Sequence, residues 1–161
     1  MVTDSMNRVC GVLTGVFLKM KKSKDEGQVF IVGMYPDGKF NLTCVMLGVP
    51  GASNSQQMGF LVNALRQQDQ EKNYAAVGMA LDVRFTEKAI RKNTDVVYVC
   101  LEDREGNAED VIFPYKEKFL GGFKLERPDS RVVEPRVYGP KGDELVALVK
   151  DKIKSTIRSA K

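Results

Sequence analysis

Between Val77 and Phe85 the chain keeps an unbroken rhythm of two. Val77, Met79, Leu81, Val83 and Phe85 fall on one side, and Gly78, Ala80, Asp82 and Arg84 on the other. Side chains alternate across a strand, so this stretch must be extended with an apolar face against a core. Val96 to Leu101 is apolar throughout, which predicts a central strand, and Val111 to Tyr115 is predicted to return across a turn at Glu105-Gly106-Asn107. Pro114 lacks a backbone donor, so that last strand is expected to lie at a sheet edge or to end there.

Other segments follow the helical period. Met6, Val9, Cys10, Leu13, Val16, Phe17 and Met20 share one face behind Thr3-Asp4-Ser5, which predicts a helix over residues 4–23. Lys19, Lys21, Lys22 and Lys24 complement the negative end of its dipole. Gly11 and Gly15 weaken this helix, and their spacing offers a place for another element to approach closely. Val29 to Tyr35, Pro36-Asp37-Gly38, and the alternation Phe40, Leu42, Cys44, Met46 predict a hairpin. A loop rich in glycine and serine leads to Asn54 or Ser55 as the cap of a second helix, about residues 56–70, carrying Met58, Leu61, Val62 and Leu65.

The expected fold class is therefore α+β: a five-stranded, mainly antiparallel sheet with three helices in the order α-β-β-α-β-β-β-α. Residues 1–115 form the core domain. Residues 116–142 lose periodicity, gather glycine and proline, and read as an extended arm. The third helix falls in 143–161, where Leu145, Val146, Val149, Ile153 and Ile157 share a face.

At 161 residues with 43% hydrophobic content the chain can bury one core. Histidine is absent. That removes Ser-His-Asp and Cys-His catalysis, His-ligated zinc, and the commonest base near neutral pH. Cys10, Cys44 and Cys100 are odd in number and widely spaced, so they are expected to be three buried thiols without disulfide or metal. No phosphate loop, dinucleotide fingerprint or nucleophile elbow occurs, and no catalytic, cofactor-binding or metal-binding residue is assigned. The longest N-terminal apolar run, Val9 to Leu18, is too short to span a bilayer, so the expectation is a cytoplasmic protein with no membrane partner.

The net charge is +4, with the positive excess in residues 116–161. Lys150, Lys152, Lys154 and Arg158 of the last helix are candidate nucleic-acid contacts, as are Lys19 to Lys24 and the group Lys88, Arg91 and Lys92. Glu102, Asp103, Glu105, Glu109 and Asp110 cluster at one hairpin end, where a solvated tip that discourages strand pairing is expected in preference to a cation site.

The order of elements resembles the roadblock and profilin-like scaffolds, in which helices sandwich a five-stranded antiparallel sheet. Gln28 to Ile31 with Pro36-Asp37-Gly38-Lys39, the helix around Leu61 to Leu65, and Val97 to Gly106 are similar to small uncharacterised bacterial α+β proteins. Those share an apolar strand, a D-G-K turn and a strand ending in E-D-x-x-G, and the resemblance implies no activity. The expected function is that of a non-enzymatic interaction or accessory protein that presents a sheet edge, the arm or an amphipathic helix to a protein partner or a second copy. Nucleic-acid binding through the basic helix is the first alternative. A small-ligand pocket between the second helix and the sheet, without histidine chemistry, is the second.

Overall fold

The computed structural model describes residues 2–22, 28–46, 54–87 and 92–139. Its elements run α1 (Asp4–Lys22), β1 (Gln28–Met34), β2 (Phe40–Met46), α2 (Asn54–Lys72), β3 (Ala76–Glu87), β4 (Lys92–Asp103), β5 (Ala108–Glu117), β6 (Phe123–Leu125) and β7 (Asp129–Val132). The class is α+β and every strand pairing is antiparallel. The expected order holds through β5. The sheet, however, has seven strands rather than five, in the order β2-β1-β3-β4-β5-β6, with β7 also on β5. Two helices lie among the described residues, and the helix expected over 143–161 lies outside them.

The two extra strands come from the segment read as an arm. Tyr115 faces Leu125 and Ile112 faces Asp129, so two residues of β5 stand opposite three of the incoming chain. This is a one-residue bulge that splits a single edge strand into β6 and β7. Pro114 sits at the break, where its carbonyl accepts from Glu126 N at 2.7 Å. β5 therefore neither ends nor lies at an edge. The missing proline donor is accommodated at the bulge, which hydrophobic periodicity could not foretell.

Each helix covers one face of the sheet. α1 buries Met6, Val9, Leu13, Phe17 and Met20 against Phe30, Val32, Met34, Val97, Val99 and Leu101. At about 1.5–3 kcal/mol for each large apolar side chain, that stripe is the main reason the helix docks. Gly11 and Gly15 are exposed and meet nothing among the described residues, so the close approach expected of them is not made there. The glycine that admits α1 is Gly78 of β3, where an added Cβ would lie 2.6 Å from Val9 Cγ1 and 2.8 Å from Leu13 Cδ1. On the opposite face α2 buries Met58, Leu61, Val62 and Leu65 against Ile31, Val77, Met79 and Leu81. The odd-numbered apolar positions of β3 point to α2, as their alternation requires.

One turn type closes three hairpins, those that join β1 to β2, β4 to β5 and β5 to β6. In Tyr35–Lys39, Asp103–Asn107 and Lys118–Gly122 the first residue's carbonyl accepts from the fourth residue's N–H, and its own N–H donates to the fifth residue's carbonyl. The fourth residue is Gly38, Gly106 or Gly121, with φ of 87°, 96° and 93°. Only glycine occupies that region without cost, which is why the first two of these sites read as turns in the sequence.

Candidate functional site

On the α2 face, α2 packs over β1 and β3, and residues 136–139 lie across the β4–β5 side as a strap. The even positions of β4 that point there are Tyr98, Cys100 and Glu102, with Asp110 beside them on β5. Arg136 enters this strip and grips Asp110 with two parallel hydrogen bonds of 2.7 Å, both side chains being at most 2% exposed. The Tyr98 hydroxyl donates to the same carboxylate. Both Glu102 oxygens accept the Val137 N–H at 3.0 Å, and Oε1 also accepts the Tyr138 N–H at 3.3 Å. From α2, Arg66 donates to the carbonyls of Arg136 and Gly139. The Tyr138 hydroxyl donates to Asp69 at 3.0 Å, and Asp69 in turn binds Arg104.

Bidentate pairing and backbone donors satisfy charges that burial would otherwise penalise heavily. The expected solvated acidic tip is therefore corrected: Glu102, Asp103, Glu109 and Asp110 are buried, and Glu105 alone of the five is exposed. Asp103 binds the turn itself through the N–H groups of Glu105 and Asn107. Glu102 and Asp110 hold the strap, and Asp103 holds the turn. No group of three or more metal-ligating side chains occurs among the described residues.

Burial pushes the Glu102 carboxyl above its ordinary value, and the N–H groups of the strap restrain the rise. Below a pH of about 4.5 this group is protonated in both the unfolded and the folded chain. Between that value and the raised one the folded chain keeps a proton that the unfolded chain has released. Stability from this group therefore falls as pH climbs through that window. Urea midpoints for the wild type and Glu102→Gln, measured from acid to neutral pH, should diverge in favour of glutamine as pH rises. A constant gap between them would show that the carboxyl titrates alike in both states.

Cys100 is buried beside Asp110, and burial followed by that negative charge raises its thiol well above the usual range. Burial pushes the half-buried Cys10 thiol up to about 11. Cys44 is exposed, so the expectation of three buried thiols fails at that residue. The reason is geometric: among the described residues the contacts of α1 fall mainly on β1, β3 and β4, and its Arg8 meets β2 at Phe40, the opposite end of the strand from Cys44.

The space between α2 and the sheet is filled by side chains such as Met58, Leu61 and Leu65, all 0% exposed. An open hollow of about 490 Å³ lies on the outer side, between α2 and the strap, lined by Asn63, Arg66, Asp69, Tyr138 and Gly139. Of its polar groups, Arg66 and Asp69 already hold the strap. Lys150, Lys152, Lys154 and Arg158 lie outside the described residues, as do Lys24, Lys88, Arg91 and the side chain of Lys92. Lys19 and Lys22 are exposed, whereas Lys21 is bound to Asp82 at 3.2 Å and lies over the rings of Tyr115 and Phe123.

Among the described residues large apolar side chains are exposed at Phe60 of α2 (58%), at Val132 of β7 (70%) and at two further places. One is the outer edge of β2, where Leu42 is 44% exposed. The other is the β5–β6 turn, where Phe119 is 100% and Leu120 is 93% exposed. Neither stands out in the sequence, because one apolar residue in an alternating strand and two in a glycine-flanked turn match no motif. No helix among the described residues is long and apolar enough to cross a membrane. Comparison with protein-family models, with curated proteins and with solved structures finds no match to this chain.

Proposed function

We propose that this chain is a non-enzymatic interaction protein whose docking element is the open edge of β2, taken up by the same edge of a second copy. The observation that carries the reading is the contrast between the two sheet edges. The β6–β7 edge is interrupted by a bulge and carries Lys124, Pro128 and Arg131, which are devices that discourage pairing. β2 (Phe40–Met46) has seven residues paired in register with β1 and contains no charge, no proline and no bulge. Among the described residues no strand pairs with its outer side.

The pairing pattern says which groups are on offer. Tyr35 N donates to Lys39 O, so the hydrogen-bonded pairs of the β1–β2 ladder are the odd ones, Gly33 with Asn41 and Ile31 with Thr43. The backbone groups of Phe40 and Leu42 therefore face away from β1. Leu42 also adds an exposed apolar side chain on the α1 face of the sheet. An antiparallel strand pair is its own mirror under a two-fold axis, so an uncharged edge is complementary to itself.

Leu42→Pro removes an outward donor without touching the bonds to β1, a substitution that edge strands tolerate. Light scattering after size-exclusion chromatography should give twice the chain mass for the wild type and the single chain mass for this variant. A monomeric wild type at every accessible concentration, or a dimer indifferent to Leu42→Pro, would remove the reading.

A further inference from the structure

The three hairpin turns among the described residues share one backbone geometry, which makes their side chains directly comparable. At the two central positions the first turn carries Pro36-Asp37 and the second Arg104-Glu105. These are residues suited to a solvated apex. The third carries Phe119-Leu120, at 100% and 93% exposure, although its hydrogen bonds are equivalent: Lys118 N to Gly122 O at 2.8 Å and Gly121 N to Lys118 O at 3.0 Å. Scattered apolar side chains on a surface need no explanation, but two adjacent ones at a convex apex do.

The base of this hairpin is firmly held. Tyr115 packs edge-on against Phe17 of α1 at 5.3 Å and against Phe123 at 5.7 Å, and its hydroxyl donates to Asp82 at 2.6 Å. Below the apex stand exposed lysines from two elements: Lys19 and Lys22 at the end of α1, and Lys118 at the turn. Together with Leu120 they border an open hollow of about 420 Å³.

We infer that this hairpin tip is a docking point for an anionic lipid bilayer, with Phe119 and Leu120 entering the acyl region and the lysines at headgroup level. Charge complementarity selects the occupant. A protruding apolar pair needs a soft apolar phase, and lysines set one turn behind it need negative charge at its boundary. The turn's backbone donors at Lys118 and Gly121 are already used internally, which leaves little for sequence-specific reading of a peptide or a base. The expectation of no membrane partner came from the length of apolar runs, which governs spanning and not surface attachment. This inference uses a different surface from the β2 edge and stands whether or not the chain dimerises.

The test is flotation of the full chain with vesicles of equimolar phosphatidylserine and phosphatidylcholine, and with phosphatidylcholine alone. Binding should be confined to the anionic vesicles and weaken with added salt. Phe119→Ser with Leu120→Ser should lower affinity on the order of a hundredfold, from the lost apolar transfer. Lys118→Glu should lower it by about fivefold or more, the contribution of one basic residue near such a surface. These positions are exposed, so unchanged urea midpoints would verify that the variants fold. The chain has no tryptophan, and Phe119→Trp therefore supplies a single reporter whose emission should shift to the blue on anionic vesicles. Absence of binding, binding indifferent to the double serine variant, an unshifted tryptophan, or retention on a labelled nucleic-acid duplex without vesicle binding would each overturn the inference.

Discussion

Arg136→Ala should lower the unfolding free energy by about 3–5 kcal/mol, the cost of leaving a buried charge without its partner. Asp110 is 1% exposed and accepts two bonds from Arg136 and one from Tyr98. Removing the guanidinium strands a carboxylate that water does not reach. Against a typical total of about 5–15 kcal/mol, that is a large fraction of what holds the domain together. Replacing both partners by apolar residues of similar volume, Arg136→Met with Asp110→Leu, should recover most of the loss, because the desolvation penalty of both charges disappears with them. Urea denaturation of the wild type, the single variant and the double variant decides the matter. A single-variant cost under about 1 kcal/mol, the scale of an exposed pair, would mean that the strap is not locked by this contact.

Gly33→Ala is the second large effect, because the added Cβ would stand 2.3 Å from two carbons of the Tyr74 ring. Tyr74 is 0% exposed and cannot step aside. Its hydroxyl accepts from Asn41 at 2.6 Å and donates to Gln68 at 3.1 Å, and its ring meets Tyr35 edge-on at 5.2 Å. Overpacking of a closed site of this kind costs about 1–3 kcal/mol. Tyr74→Leu alone should also destabilise, through the lost hydrogen bonds and packing. Combined with Gly33→Ala it should cost less than the two separate losses added together, since the methyl then enters space the ring has vacated. Additive losses would show that the two residues do not compete for the same volume.

The elements were legible wherever a short window carried its own physical reason. Met6, Val9, Leu13 and Phe17 repeat at the helical spacing, and all are buried in α1. Val77, Met79, Leu81 and Val83 repeat at the strand spacing, and all face α2. The glycines of the first two turns lie at positive φ where turn chemistry was expected. The segment after residue 116 was not legible, because its strands are short and polar. Asp129–Val132 reads as loop until β5 supplies the partner whose backbone it pairs with.

The acidic residues teach the same lesson from the opposite side. Glu102 and Asp110 look like a charged hairpin end, because Arg104 is the one cation among the five carboxylates of that stretch. Arg136 lies 26 residues beyond Asp110. Whether a carboxylate meets water or a guanidinium depends on how a distant segment packs, and local composition does not encode that.

By itself, then, the amino-acid order determined the class, the succession of elements through β5 and the positions of the first two turns, since these depend on side-chain periodicity and on glycine's access to positive φ. Only the tertiary structure decided that residues 136–139 cross the sheet as a strap, that no described strand pairs with the outer side of β2, and that Phe119 and Leu120 stand in solvent. Burial and ion pairing are properties of elements brought together from far apart along the chain, so no local window could carry them.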